Sequence, residues 1–317
     1  METIAITGGT GFLGSHLVKN LLEKDDRIVR VLSRSPSPEL LTISPRLEVW
    51  MGNLLDFETV RGFLPPGCLL VNLAYLDNGR GPNLKAAENL VKGCLGNGAK
   101  KVIHLSTVAV YGKIRDRIVT EETPCNPFTE YEKIKFELEE IIRNGLAGKI
   151  PLTILRPTAV FGSGGRNLKK LIDDISDGSK VKNYLKSCLF GRRHLNLVYI
   201  DNVISAIVFL INMPQNIRKE IFIVSDDDSK LNNYRDIEKY IIKRFGYKDY
   251  SFPRVPTSFL ILSFLLRMYG KSNLNPNSIY DCSKILKKGF QKPISFDVGL
   301  DHFVDWYKGE FFSNRNK

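Results

Sequence analysis

A glycine-rich segment near the amino terminus constrains the fold of this chain more than any other feature. The segment Thr7–Gly14 directly follows a short apolar stretch. Gly8 allows a tight turn after a strand, Gly11 lets the backbone approach a pyrophosphate, and Gly14 lets the next helix pack closely on the sheet. A helix that begins near Phe12 would point its free N–H groups at the phosphates. The pattern predicts a strand, a turn that holds a dinucleotide, and a helix.

The first half of the chain alternates short apolar segments with segments of helical periodicity. This alternation is typical of a parallel sheet that helices cover on both faces. The predicted strands span residues 4–7, 28–33, 47–51, 69–74, 101–106 and 152–156. The predicted helices between them span residues 12–24, 56–63, 82–96 and 129–143. The sequence therefore predicts an α/β fold with a doubly wound parallel sheet of the Rossmann type.

The alternation loosens after residue 157. A strand at 197–199, a helix at 201–213 and a strand at 221–224 precede helical patterns at 232–245, 258–269, 278–288 and 298–307. We expect a dinucleotide-binding domain over residues 1–165, with 197–224 returning to it. Residues 166–317 would form a smaller, mixed and mostly helical cap that binds substrate.

The charge of the chain bears on its partners. A net charge of +12 favours anionic ligands and makes nucleic acid a partner to consider. However, the basic residues form short, dispersed clusters without the interleaved aromatic residues of a base-stacking surface. We interpret them as a solvated surface and expect no nucleic-acid partner.

Cysteine usage and apolar runs bear on the compartment. The five scattered cysteines and four histidines lack the spacing of a zinc or dithiol motif, so we expect reduced thiols and no metal. The amino terminus shows no secretion signal. The longest apolar run, residues 259–266, is far shorter than the roughly 20 residues that span a bilayer. We predict a cytoplasmic protein without a transmembrane segment. The run would form a buried helix or, alternatively, a surface for a membrane, a lipid-linked substrate or a partner.

A second pattern predicts proton transfer. Tyr131 and Lys135 lie one helical turn apart, and Thr107 precedes them at the end of a predicted strand. An ammonium group beside the ring would favour the phenolate and lower the pKa of Tyr131 from its usual value of about 10. Thr107 would hold a substrate oxygen toward the tyrosine. The same spacing recurs at Tyr280 and Lys284, which we interpret as coincidence on an amphipathic helix because no comparable strand end precedes it.

The end of the second predicted strand indicates which dinucleotide is bound. An acidic residue there would bond the adenosine ribose and favour NAD. This chain instead has Ser33 and Arg34. An arginine can pair with a 2′-phosphate, and a serine hydroxyl can donate a further hydrogen bond. We therefore favour NADP(H), with NAD(H) as the alternative.

With these motifs, the chain resembles the extended short-chain dehydrogenase/reductase family, in its NAD-dependent epimerase/dehydratase group. Further segments that resemble the family lie at 52–54, 73–75, 83–90, 105–112, 155–162, 198–203 and 287–293. The resemblance implies that Tyr131 and Lys135 also contact the cofactor. It implies further cofactor contacts from Gly8, Thr10, Gly11, Phe12, Leu13, Gly14, Asn53, Leu54, Leu73, Ala74, Tyr75, Asn89, Pro157 and Val160. It also implies a homodimer formed through the helices at 83–96 and 129–143.

Two departures from the family pattern narrow the predicted reaction. Sugar 4,6-dehydratases of the family carry an acidic pair where this chain has Val108 and Ala109, which argues against dehydration. Arg34 favours exchangeable NADPH, which reductases consume, over the NAD that epimerases retain. Our leading hypothesis is an NADP(H)-dependent reductase of a keto group on a nucleotide-linked sugar, with Tyr131 as proton donor. The predicted substrate contacts are Thr107, Ala109, Tyr131, Arg192 and Arg193, with Arg192 or Arg193 holding a diphosphate.

Three alternatives stay open at this point. The first is a nucleotide-sugar epimerase that recycles bound NAD(P). The second is a reductase of a small apolar ketone of the steroid or flavonoid type, with residues 259–266 lining its pocket. The third is a non-catalytic protein that binds NADP(H) as a structural or sensing ligand.

Overall fold

The secondary structure follows the alternation of apolar strands and amphipathic helices. The computed structural model describes residues 2–35, 44–214, 219–255, 257–258, 264, 267–268, 275 and 277–315. The strands are β1 (Thr3–Thr7), β2 (Ile28–Ser33), β3 (Leu47–Met51), β4 (Leu69–Asn72), β5 (Lys101–Leu105), β6 (Ile118–Val119), β7 (Leu152–Pro157), β8 (Ala159–Phe161), β9 (Leu197–Tyr199), β10 (Lys219–Val224) and β11 (Ile279–Tyr280). The helices are α1 (Phe12–Lys24), α2 (Phe57–Phe63), α3 (Arg80–Gly96), α4 (Glu130–Leu146), α5 (Lys169–Asp177), α6 (Lys180–Phe190), α7 (Ile200–Asn212), α8 (Tyr234–Arg244), α9 (Ser283–Lys287) and α10 (Phe296–Arg315), with a 3₁₀ turn at Val108–Tyr111.

The main sheet has seven strands in the order β10-β7-β5-β4-β1-β2-β3. β1 is parallel to β2 on one side and to β4 on the other, and the register pairs Thr7 with Leu32 and with Asn72. The carboxyl ends of these strands therefore meet at one edge of the sheet, which is where open α/β sheets bind ligands. The predicted fold class, an α/β Rossmann-type sheet, is confirmed.

The chain divides into two compact units. Unit 1 comprises Met1–Val110, Thr129–Arg156 and Ile204–Phe222. Unit 2 comprises Tyr111–Phe128, Pro157–Val203 and Ile223–Lys317.

The core of unit 1 lies between the sheet and helices α2, α3 and α4. α4 buries Ile134, Leu138 and Ile142, which recur at helical spacing and form one apolar stripe. This stripe joins Phe63 of α2 and Leu90 of α3 in one buried cluster. The packing fixes the rotation of α4, and with it the direction in which the polar residues of its first turn point.

Unit 2 contains two small parallel pairs of strands, β8 with β9 and β6 with β11. The ring of Phe161 on β8 lies 5.4 Å from the rings of Tyr199 and Phe296 and 6.0 Å from that of Phe303, measured between centroids. These edge-on and tilted aromatic contacts hold β8, β9 and α10 together.

Three parts of unit 2 differ from the sequence prediction, were not predicted, or fall outside the described residues. The helix predicted over 278–288 is wrong for its first residues, because Ile279 and Tyr280 form β11 and only Ser283–Lys287 is helical. Tyr280 and Lys284 therefore do not share a helix face. Helices α5 and α6 were not predicted. The helix predicted over 258–269, with its apolar run, lies largely outside the described residues.

A buried ion pair connects α4 to the sheet and supports a prediction on stability. The Arg156 side chain on β7 donates two hydrogen bonds to the carboxylate of Glu139, at 3.0 and 2.6 Å, and both residues are buried. We expect Glu139→Ala to lower the free energy of unfolding by about 3–5 kcal/mol, because a buried guanidinium loses its carboxylate partner. Urea denaturation measures this change.

The matched control is Glu137→Ala, on the same helix. Glu137 accepts hydrogen bonds at 2.7 and 2.9 Å from Arg80, but this pair is exposed to solvent. We expect little change in stability from the control, because water screens exposed ion pairs. Equal effects of the two substitutions would contradict the structural role given to Glu139.

Candidate active site

The glycine turn after β1 is shaped by close backbone contacts. Gly8 has a φ of 70°, which side chains other than glycine rarely adopt. A Cβ atom on Gly14 would lie 2.0 Å from the carbonyl oxygen of Gly8. The Gly11 N–H donates to the same oxygen at 3.0 Å. Only glycine at position 14 lets α1 begin this close to the turn.

The amino-terminal end of α1 fits a phosphate group. Gly11 precedes the helix, and within the described residues no side chain caps its first N–H groups. Thr10 and Gly11 are exposed at the turn, and Phe12 and Leu13 are half-buried. Free N–H groups and the positive end of a helix dipole attract a pyrophosphate. The turn can therefore hold a dinucleotide of the type the sequence predicts.

Two neighbouring segments border this turn. Leu73 follows β4 and donates its N–H to the Thr7 carbonyl at 3.1 Å, so that Leu73, Ala74 and Tyr75 continue along the sheet edge as half-buried residues. Gly52 follows β3 and donates its N–H to the Ser33 carbonyl at 2.9 Å, which brings Asn53 and Leu54 to the same edge.

Asn89 lies behind the segment that contains Asn53 and Leu54. Its side chain is buried in α3 and donates to the carbonyl of Leu54 at 2.9 Å. Its Oδ1 atom is buried and has no hydrogen-bond partner among the described residues. Asn89 therefore positions this segment, and a contact with the cofactor stays a prediction.

The two residues at the end of β2 differ in what they offer a ligand. Ser33 is buried, and its hydroxyl donates to the carbonyl of Ser35 at 2.7 Å. The donor that the sequence analysis assigned to a 2′-phosphate is thus occupied. Arg34 is exposed at the sheet edge, so only its guanidinium remains to recognise the phosphate.

A capping box places the predicted catalytic residues. The Thr129 hydroxyl accepts the N–H of Glu132 at 3.3 Å, and the Glu132 carboxylate accepts the N–H of Thr129 at 3.0 Å. α4 therefore begins at Glu130, with Tyr131 in its first turn and Lys135 one turn later. Lys135 is buried and donates to the carbonyl of Leu105, at the end of β5, at 2.8 Å.

The structure brings Tyr131, Thr107 and Lys135 to the same sheet edge. Burial of the phenol among protein atoms raises the pKa of Tyr131, although 46% of the residue is exposed, and the Thr107 hydroxyl offsets part of this rise. Burial lowers the pKa of Lys135 to about 8. The ammonium donates to Leu105, and a lowered pKa of the tyrosine beside a positively charged nicotinamide stays a prediction.

Tyr75 is a close neighbour of the catalytic pair. Its ring centroid lies 5.3 Å from that of Tyr131, at an interplanar angle of 71°. The Lys135 Nζ atom lies 5.8 Å from the centre of the Tyr75 ring. The ring of Tyr75 therefore packs edge-on against Tyr131 and shields one side of the lysine.

A buried polar chain beneath the site was missed by the sequence analysis. The Thr7 hydroxyl donates to Asn72 Oδ1 at 2.6 Å, and Asn72 Nδ2 lies 3.0 Å from His104 Nδ1. Burial, and then the charge of Lys135, hold the pKa of His104 well below its usual value, so the imidazole is neutral. The strand register pairs Asn72 with Thr7 on β1 and with His104 on β5. Polar residues at paired positions of these strands were the signal that could have indicated this chain of hydrogen bonds.

The other predicted site residues belong to unit 2, except Ala109. Pro157 ends β7 and is buried, Val160 lies on β8 and is half-buried, and Ala109 of unit 1 lies in the 3₁₀ turn. The Arg193 guanidinium lies 5.9 Å from the ring centre of Phe190. Arg192 is exposed and lines a cavity.

This cavity, within unit 2, has a volume of about 680 Å³. Its lining residues are Arg117, Arg192, His194, Asp227, Asp228, Ser229, Lys230, Asn275, Asn277 and Ile279. Asp227 accepts hydrogen bonds from Asn196 at 2.7 Å and from the N–H of Tyr280 at 2.8 Å, and burial raises its pKa to about 7. Asp228 pairs with Lys292 at 2.5 Å. The two acidic residues are thus engaged by other groups of the protein.

The basic side chains of the cavity are not engaged in this way. Within the described ranges, Arg117, Arg192 and Lys230 form no ion pair. The Nδ1 atom of His194 is buried, and the described residues offer it no hydrogen-bond partner. Three cations without carboxylate partners make this cavity suited to an anionic ligand.

None of the described helices combines the length and the apolarity needed to cross a membrane. No group of three or more histidine, cysteine or acidic side chains in the described ranges is arranged to hold a metal ion.

Comparisons with known proteins agree with this geometry. N-acetyl-alpha-D-glucosaminyl-diphospho-ditrans,octacis-undecaprenol 4-epimerase of Escherichia coli O157:H7 is 23% identical, over 96% of this chain and 95% of the relative. The structure of dTDP-glucose 4,6-dehydratase from Bacillus anthracis, in complex with NAD, aligns with a TM-score of 0.74 at 18% identity, over 98% of this chain and 97% of that one.

A third protein and a family model complete the comparison. UDP-glucose 4-epimerase from Thermotoga maritima aligns with a TM-score of 0.70 at 19% identity, over 98% of this chain and 100% of that one. The two structures support the fold. The model of the NAD dependent epimerase/dehydratase family matches residues 4–225, which is most of the chain. The chain therefore belongs to the NAD dependent epimerase/dehydratase family.

Proposed function

We propose that this protein is an oxidoreductase that transfers hydride between a nicotinamide dinucleotide and a carbon of a nucleotide-linked sugar. The observation that carries the proposal is the placement of Tyr131, in the first turn of α4, and of Thr107, just after β5, at the sheet edge that also holds the glycine turn. A hydride-transferring site needs a proton donor and an oxygen-orienting hydroxyl beside the dinucleotide. These two residues supply both.

Each residue has a distinct part in the proposed reaction. A bound nicotinamide supplies the hydride acceptor or donor. Thr107 hydrogen-bonds the substrate oxygen, and Tyr131 gives a proton to that oxygen or takes one from it. Lys135 uses one of its three N–H donors on Leu105, which leaves two for the ribose of the dinucleotide and the phenol. Val108 and Ala109 cannot act as acid and base, so elimination of water is not part of the proposal.

The role of Tyr131 yields a prediction on turnover. We expect Tyr131→Phe to lower kcat by about 10³-fold and to leave dinucleotide affinity nearly unchanged, because the substitution removes only the proton donor. Steady-state kinetics and a fluorescence titration with NADPH measure the two quantities. Tyr280→Phe is the matched control, since it alters the second copy of the same spacing. A Tyr131→Phe protein that retains full turnover would overturn the proposed chemistry.

We further propose that the dinucleotide is NADP(H) and that the net reaction is reduction of a keto sugar. The support is the exposed Arg34 at the end of β2, where positions 33 and 34 carry no acidic residue. A charge-assisted bond to a 2′-phosphate favours the phosphorylated dinucleotide.

This preference can be measured by titration. We expect Arg34→Ala to weaken NADPH binding about tenfold or more and to leave NADH binding unchanged, since only NADPH carries the 2′-phosphate. Arg61→Ala, which removes an exposed arginine of α2, is the control. Equal affinity of the native protein for NADPH and NADH would refute the assignment.

The cavity of unit 2 supports a diphosphate-linked substrate. Its unpaired cations suit phosphate oxygens, and its volume is within the usual range for small-molecule sites of about 300–1,000 Å³. Its charged lining argues against a small apolar ketone. We propose that Arg192 and Lys230 hold the diphosphate, with no role for Arg193, which does not line the cavity.

The corresponding kinetic prediction separates binding from chemistry. We expect Arg192→Ala and Lys230→Ala each to raise KM for a nucleotide sugar about tenfold while kcat stays nearly constant, because each loses a phosphate contact and takes no part in proton transfer. Lys287→Ala, an exposed lysine on α9, serves as the control. A fall in kcat without a change in KM would contradict the binding role.

A second candidate function is epimerisation, which the two 4-epimerases among the compared proteins favour. An epimerase would keep its dinucleotide through dialysis and would not consume added NADPH. The proposed reductase would lose its dinucleotide on dialysis and would consume added NADPH. The Escherichia coli relative is named for a sugar joined to a lipid through a diphosphate. Parallel assays with a nucleotide sugar and a polyprenyl-diphosphate sugar separate these two carriers. Homodimer formation and a cytoplasmic location remain predictions from the sequence.

A further inference from the structure

Unit 2 exposes large apolar side chains on one face of α6. Val181 and Leu185 lie one helical turn apart and are 68% and 59% exposed. The opposite side of the helix is buried through Asn183 and Ser187. α6 is thus anchored on its polar side and presents its apolar side to solvent, the reverse of the usual arrangement for a surface helix.

A neighbouring segment adds two more apolar side chains. Phe252 and Val255 are 73% and 65% exposed. The segment is held against α6, because the Tyr184 hydroxyl donates to the carbonyl of Pro253 at 2.9 Å and Arg254 Nε donates to the Ser187 hydroxyl at 2.7 Å. We call Val181, Leu185, Phe252 and Val255 together the apolar face.

Among the described residues, the unpaired charges beside the apolar face are positive. α6 carries three lysines and no acidic residue. Lys180 and Lys182 flank Val181 and are exposed, whereas Lys186 is paired with Asp174 at 2.7 Å. The nearest carboxylate of the adjoining segment, that of Asp249, is paired with Arg254 at 2.6 Å. The apolar face is therefore bordered by uncompensated positive charge.

We propose that the apolar face binds the surface of an anionic lipid bilayer. Exposed apolar side chains interleaved with lysines are the combination that interfacial membrane-binding helices use, since the side chains enter the headgroup region while the lysines contact anionic lipids. A second copy of the chain is a poorer occupant, because the lysines of two α6 helices would then repel each other. This binding goes beyond the proposed reaction and does not depend on it.

Vesicle sedimentation of the full chain tests the proposal. The probes are vesicles of phosphatidylcholine alone and of an equimolar mixture of phosphatidylcholine and phosphatidylglycerol. We expect binding to the anionic vesicles only, weakened by added salt. The double variant Leu185→Ser/Phe252→Ser should weaken this binding by about tenfold or more, because two apolar side chains no longer enter the bilayer.

Controls decide between the possible outcomes. Val298→Ser removes a partly exposed apolar side chain from α10, outside the apolar face, and should bind vesicles as the native chain does. Unchanged NADPH binding and circular dichroism show that the double variant is folded. Failure of the native chain to bind anionic vesicles would overturn the proposal. So would a double variant that binds normally, or a self-association in sedimentation velocity that the double variant abolishes without any vesicle binding.

Discussion

The close contact between the start of α1 and the turn after β1 is the constraint on which the site depends. A Cβ atom at Gly14 would lie 2.0 Å from the Gly8 carbonyl oxygen, so no other residue lets the helix begin there without shifting the turn. This contact aims the first N–H groups of α1 at the sheet edge. The neighbouring strands β2 and β4 then bring Arg34 and Tyr75 to the same edge through their fixed register.

The second constraint is the burial of the catalytic helix. The apolar stripe and the Arg156–Glu139 pair fix α4 against the sheet, and the capping box fixes its first residue. Together they determine where Tyr131 and Lys135 stand. The same burial also opposes both charged forms, since it raises the pKa of the phenol and lowers that of the ammonium. A bound dinucleotide with a positive nicotinamide would change this balance in favour of the phenolate.

The sequence predicted the main sheet closely, because buried parallel strands are continuous apolar runs. The strands at 28–33 and 47–51 have the predicted boundaries. The helices and strands of unit 2 were harder to predict from the sequence. Residues 279–280 lie in a helical pattern, yet they pair in parallel with Ile118 and Val119 of β6, which are distant in sequence, and this tertiary pairing makes the segment a strand. α5 and α6 went unpredicted, and α6 turns polar residues inward and apolar ones outward.

For the site, the sequence predicted the residue types but not their side-chain contacts. The residue types and spacing at Thr107, Tyr131 and Lys135 indicated proton transfer. Which groups their side chains contact depends on local geometry that spacing does not contain. The hydroxyl of Ser33 donates to Ser35, and the amide of Asn89 donates to Leu54, and residue spacing could not reveal either bond. Lys135 likewise bonds to a backbone carbonyl that the spacing to Tyr131 could not reveal.

The neutral imidazole of His104 has a consequence for the behaviour of the site in acid. An ordinary histidine would take up a proton as the medium becomes mildly acidic and place a second cation next to Lys135. Here that uptake is delayed to much lower pH, because the ring is enclosed and already faces an ammonium. His104 therefore adds no charge beneath the site across the mildly acidic range in which an ordinary histidine becomes protonated.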